Sequence, residues 1–146
     1  MLSVFLLIVA NYIFAANVIF EVDMSYMNTN EDGVYIVGSD ASFLGPEGLA
    51  MSDENGDNIW DIELELDPGS YTYKFRNGFC DNWDYCGSMW ENIPDECGSQ
   101  EFGDREITVD NDDVWAGPFC FSSCEACPEE VDYYNVTFSV DMQNVS

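Results

Sequence analysis

Two tryptophans stand close together in a stretch crowded with acids and amides. Asp81, Asn82, Trp83, Asp84 and Tyr85 are consecutive, and Trp90, Glu91 and Asn92 follow shortly after. This mixture suits recognition of a sugar chain. A sugar ring presents a patch of C–H bonds that stacks on an aromatic face, while its hydroxyls seek carboxylates and amides. Exposed aromatic clusters mark binding surfaces. The same rings could instead pack beneath a long loop against disulfides, and residue types alone leave both readings open.

A second constellation is Asp53, Asn55 and Asp57, which alternate with Glu54, Gly56 and Asn58. It resembles the opening of a calcium loop. The EF-hand version requires Gly at its sixth position and Glu at its twelfth, where Asn58 and Leu64 stand. That leaves a looser calcium site of oxygen ligands or a plain Asx-rich turn. Asp110, Asn111, Asp112 and Asp113 form another acidic turn. Calcium is the one cofactor these residues suggest.

Catalytic patterns are missing. The chain has no His, no G-x-S-x-G and so many carboxylates that a pair carries no information. We expect no enzyme. The balance of 29 acidic residues against 3 basic ones gives a net charge of -26. Nucleic-acid binding requires a basic footprint, so this class is excluded, and anionic membrane surfaces would repel the chain.

Six cysteines, Cys80, Cys86, Cys97, Cys120, Cys124 and Cys127, read as a disulfide framework whose pairing the spacing does not fix. Zinc at Cys124 and Cys127 would lack histidine help. All six lie in the later half, so the bridges should staple the later loops. Residues 1–16 open with a largely apolar run from Leu2 to Val9 and end in Ala15 and Ala16, the form of a signal peptide. An extracellular or cell-surface location follows, with no membrane insertion of the mature domain.

The elements that must carry these residues are strands. Asn17–Met24 reads NVIFEVDM, and Asn135–Met142 reads NVTFSVDM, identical at six of eight positions. Such an echo signals a tandem array. The expected organisation is therefore a domain over 17–128, a linker over 129–134 and the first strand of a second repeat over 135–146. Neighbouring repeats become expected partners. Alternation predicts strands over 17–24, 34–37, 58–66, 71–76, 105–109 and 114–121. Asp67-Pro68-Gly69-Ser70 predicts a type II turn joining the third and fourth of these as a hairpin, with Gly69 at positive φ. Lys74 and Arg76 then fall on its outward face. Trp60 should be core, and Trp115 core or interface. The 39–58 and 77–103 stretches read as long loops. The sum is an all-β, antiparallel immunoglobulin-like β-sandwich.

The run MSDENGDNIWDIELELDPGSYTYKF, Met51–Phe75, resembles the middle of starch-binding and glycogen-binding modules, of the type in carbohydrate-binding module families 20 and 48. Those show an acidic turn, G-x-W/Y, an alternating strand, a P-G turn and Y-x-Y-K-F. VYIVG at Val34–Gly38 is similar to the strand before that family's N-x-W segment. The resemblance covers roughly residues 17 to 121. The C-x3-C-x2-C-P tail at Cys120–Pro128 is similar to tandem copies in secreted bacterial surface proteins. It implies a non-catalytic polysaccharide-binding module within a larger protein. At the family's first platform tryptophan this chain has Phe43 and Leu44; for the second, Phe79, Trp83 and Trp90 are candidates. Trp83, Tyr85, Trp90, Asp81 and Asn82 are the expected sugar-binding set. A structural spacer or adhesion repeat with no ligand of its own is the alternative, and a calcium-stiffened stalk is a third reading.

Overall fold

The computed structural model describes residues 14–38, 43–99 and 102–129. Most of the leader, most of the linker and the repeated octet at 135–142 lie outside the described residues. The elements are β1 (Ala16–Asp23), β2 (Val34–Gly38), β3 (Leu49–Ala50), β4 (Ile59–Leu66), β5 (Gly69–Asn77), β6 (Arg105–Val109) and β7 (Val114–Cys120), with one 3-10 turn at Gly87–Met89. The chain is all-β, as its alternation predicts. β1 starts one residue early, at the buried Ala16.

Two sheets form, in the orders β4-β1-β7 and β3-β2-β5-β6. In β1 the inward Val18, Phe20 and Val22 are fully buried. Each contributes about 1.5–3 kcal/mol of hydrophobic stabilisation. They meet Ile36, Tyr73 and Phe75 of the other sheet in one core cluster. Phe20 stands edge-on to Tyr73, with centroids 4.8 Å apart. Trp60 packs partly buried against this cluster, as expected. Its ring lies over Gly33, whose φ of 82° and close contact leave little room for a side chain. Of the two readings for Trp115, the core one fails: it is 68% exposed on β7.

Three expectations about connection fail. β4 and β5 do not form a hairpin. β4 pairs with β1, and β5 with β2 and β6, so the Pro68-Gly69 corner carries the chain from one sheet to the other. Alternation buries Ile62 and Leu64 against Tyr73 and Phe75 whether the strands lie side by side or face each other, so the pattern cannot separate the two. Gly69 is also not at positive φ. It opens β5, opposite Val109, in extended form. The third failure is pairing direction: β1 pairs β4 antiparallel but β7 parallel. No tight turn joins the first and last strands, so nothing local requires them to oppose. The β7 register shifts between the partners of Phe20 and Val22, where Gly117 (φ 134°) lies against the Glu21 carbonyl and precedes Pro118 in a cis peptide. A bulge is where a sheet tolerates both residue types.

The 39–58 stretch also holds the short strand β3. The long loop between β5 and β6 connects neighbours in one sheet. The cysteines pair as Cys80–Cys86, Cys97–Cys124 and Cys120–Cys127. All six are consumed, which removes zinc ligation at Cys124 and Cys127. Three bridges are characteristic of an oxidising compartment. Among the described residues no helix is long and apolar enough to cross a membrane.

Candidate functional site

The β5–β6 loop is anchored by buried charge. Glu91 is buried, and its carboxylate accepts the Phe75 amide at 2.8 Å and the Arg105 guanidinium at 2.7 Å. Arg105 also donates to the Ser123 carbonyl at 2.9 Å and lies over the Phe75 and Phe119 rings. A buried ion pair is tolerable only with such complete hydrogen bonding. The same surroundings act on Tyr73: burial raises its hydroxyl well above the ordinary value, with Arg105 opposing that shift.

Arg76 corrects the outward-face expectation: it is wholly buried. Its guanidinium donates to the carbonyls of Pro46 (2.7 Å), Glu47 (2.8 Å) and Gly78 (3.0 Å). Those three oxygens come from two loops and replace water around the charge. Burial lowers its pKa. The guanidinium sits 5.4 Å from the Tyr35 ring centroid and 5.1 Å from that of Trp90, and Arg76 bridges Trp90 along the backbone. Trp90 is thus held from below by a cation.

Trp83 is held from its edge. Its indole N–H donates to the Gly38 carbonyl at 3.2 Å, while the residue stays 42% exposed. The Cys80–Cys86 bridge closes the short loop around it. Asn82 braces that loop internally, its side-chain oxygen accepting the amides of Asp84 (3.0 Å) and Tyr85 (2.9 Å).

Trp83 and Trp90 line one open depression of about 670 Å³, together with Phe102, Asp84, Asn92 and Lys74. The structure therefore brings together two of the five expected sugar-binding residues. Asp81, Asn82 and Tyr85 do not line it; Tyr85 is 87% exposed and points elsewhere. Phe102 and Lys74 are among the lining residues that sequence reasoning missed. Phe102 has no motif around it, and Lys74 read only as an outward-face charge. Lys74 donates to the Phe102 carbonyl at 2.9 Å and lies 3.8 Å from the carboxylate of Asp104, beside the neighbouring strand β6. The arrangement offers flat apolar faces beside carboxylate and amide groups, with its one cation already neutralised.

The Asp53 cluster is closed on itself. Asp53 accepts the amides of Gly56 (2.9 Å), Asp57 (3.1 Å) and Asn58 (3.2 Å). Asn55 accepts the Asp57 amide (3.1 Å) and donates to its carboxylate (2.9 Å), and Asp57 accepts the Ile59 amide (2.9 Å). Gly56 and Asn58 take positive φ, 74° and 68°. This is the geometry of an Asx-rich turn. Among the described residues no group of three or more His, Cys, Asp or Glu side chains is arranged to hold a metal ion. Asp113 of the second acidic turn accepts the Asn17 amide at 3.0 Å.

No family model, curated protein or solved structure matches this chain.

Proposed function

We propose that this domain is a non-catalytic polysaccharide-binding module of a larger secreted or cell-surface protein, and that its two sheets form an immunoglobulin-like sandwich of the starch-binding type. The observation that carries the reading is the depression in which Trp83, Trp90 and Phe102 lie beside Asp84 and Asn92. Aromatic faces take up sugar C–H surface, and acceptor groups at the rim take hydroxyls. Both tryptophans are pre-positioned, Trp83 by its hydrogen bond to Gly38 and Trp90 by Arg76. Pre-positioning limits the ordering cost of binding. A single module of this size binds with a Kd between roughly micromolar and millimolar, about -8 to -4 kcal/mol. Repetition along a chain then supplies avidity.

The test is retention on insoluble starch, cellulose, chitin and alginate, with and without calcium. Retention on one polymer that Trp83→Ala abolishes, at unchanged melting temperature, supports the reading. Trp83 is the suitable position, because Trp90 also covers the buried Arg76 and its loss would disturb the loop. Absence of retention on every polymer would favour a spacer or adhesion repeat.

A further inference from the structure

The charges around the depression are unevenly satisfied. The chain carries three basic side chains, Lys74, Arg76 and Arg105, against 29 acidic ones. Each of the three is already engaged. Arg76 is 0% exposed on its three carbonyls, and Arg105 is 4% exposed on Glu91 and Ser123. Lys74 lines the depression, but it donates to the Phe102 carbonyl and lies 3.8 Å from Asp104. A uronate or a sulfated sugar would therefore meet no free cation there. It would also approach through the field of a chain of net charge -26.

Three carboxylates line the depression, those of Asp84, Glu91 and Asp104. Glu91 is held by Arg105, and Asp104 faces Lys74. Asp84 is exposed. Its backbone amide is bonded to Asn82, but among the described residues its carboxylate has no hydrogen-bond or ion-pair partner. The rings differ in the same way. Trp90 already has the Arg76 guanidinium 5.1 Å from its centroid, which opposes a second positive charge on its other face. Among the described residues no cation lies over Trp83, which is 42% exposed. A free indole face attracts a cation. Trp83 and Asp84, adjacent in the chain, are thus the two lining groups free to receive positive charge.

We propose that the depression recognises a polysaccharide bearing free amino groups, a deacetylated hexosamine polymer. The inference rests on the polysaccharide reading above and adds the charge class of its ligand. The sugar ammonium donates to the Asp84 carboxylate and lies against the Trp83 ring, and the C–H faces of the sugar rings cover Trp90 and Phe102. A neutral polymer gains the stacking alone. An anionic one gains the stacking and meets the unpaired charge of Asp84. A charge-assisted hydrogen bond is about twice as strong as a neutral one, so the amine is the group that separates these ligands.

The test is calorimetric titration of the full chain with soluble oligomers of one length: glucosamine oligomers, the same oligomers fully N-acetylated, and uronate oligomers. The buffer is mildly acidic, so that the sugar amines are protonated. The expected result is that the amine oligomers bind about tenfold tighter than the acetylated ones and that the uronate oligomers do not bind. Asp84→Asn should bring the amine oligomers to the acetylated level, and Trp83→Ala should remove binding of both. Asp112→Asn removes the same charge from the β6–β7 turn, outside the depression, and should change neither affinity. The inference is overturned if the acetylated oligomers bind as tightly as the amine ones, if the uronates bind, if Asp84→Asn keeps the preference, or if Asp112→Asn weakens binding as much as Asp84→Asn does. Equal binding of amine and acetylated oligomers leaves the polysaccharide reading standing. Failure of every oligomer to bind also overturns the inference, and retention on the insoluble polymers then decides whether the polysaccharide reading stands.

Discussion

The acidic turn at Asp53–Asn58 and the long β5–β6 loop solve the same problem in opposite ways. Each must satisfy many polar groups without regular structure. The turn does so within itself: Asp53, Asn55 and Asp57 accept amides no more than five residues away. The long loop borrows from the rest of the molecule. Glu91 reaches Phe75 and Arg105, Trp90 rests on Arg76, Trp83 reaches Gly38, the Asn92 backbone amide donates to the Ser122 hydroxyl oxygen, and Cys97 is bonded to Cys124. A self-contained turn is rigid yet isolated. A loop held at scattered points can shape a concave surface between its anchors, and that is where the depression lies.

The contrast predicts a graded response to substitution. Glu91→Ala leaves Arg105 buried without its partner, and a broken buried pair costs about 3–5 kcal/mol. Urea denaturation should show a loss of that size together with loss of the Trp83 environment in near-ultraviolet circular dichroism. A loss below about 1 kcal/mol, in the range of exposed pairs, would mean that the loop is not anchored there. Replacing Cys97 and Cys124 by Ser opens a loop with a sequence separation of 27. Its expected cost is about 3–4 kcal/mol from chain entropy, read from the same denaturation curves.

Asp53→Ala removes three acceptor contacts from a partly solvated turn, with an expected cost of about 1–2 kcal/mol. It should leave polysaccharide retention unchanged, because nothing in the turn touches the depression. Millimolar calcium should leave the melting temperature of the parent where it is; a rise that a chelator reverses would assign the turn to a cation instead. The smallest effect concerns pH. The folded state raises the Tyr73 hydroxyl above its unfolded value near 10. Its contribution to stability is fully present below about pH 10 and declines as pH rises beyond it. The melting temperature should therefore fall above pH 10, and less steeply in Tyr73→Phe.

Much of the framework was legible in the residues. The period-two pattern placed six strands within a residue or two, because alternation reports which side chains face a core. It could not report which strands are neighbours. Tyr71, Tyr73 and Phe75 present the same face to Ile62, Leu64 and Leu66 in a hairpin and across a sheet-to-sheet corner. The site was half legible. Trp83 and Trp90 are near in sequence and meet in space, but Phe102 joins them only because β6 returns beside β5. Arg76 read as an outward charge, since two of its three carbonyl acceptors, those of Pro46 and Glu47, come from a distant loop and leave no mark beside it.

The sequence by itself determined the all-β class, the strong negative charge and the disulfide content, because each depends on composition or on groups a few residues apart. The tertiary structure decided the pairing of the cysteines, the parallel contact of β1 with β7, the burial of Arg76 and Glu91 and the gathering of the depression. Those rest on contacts between distant residues, whose free energy is gained only once the chain has closed on itself.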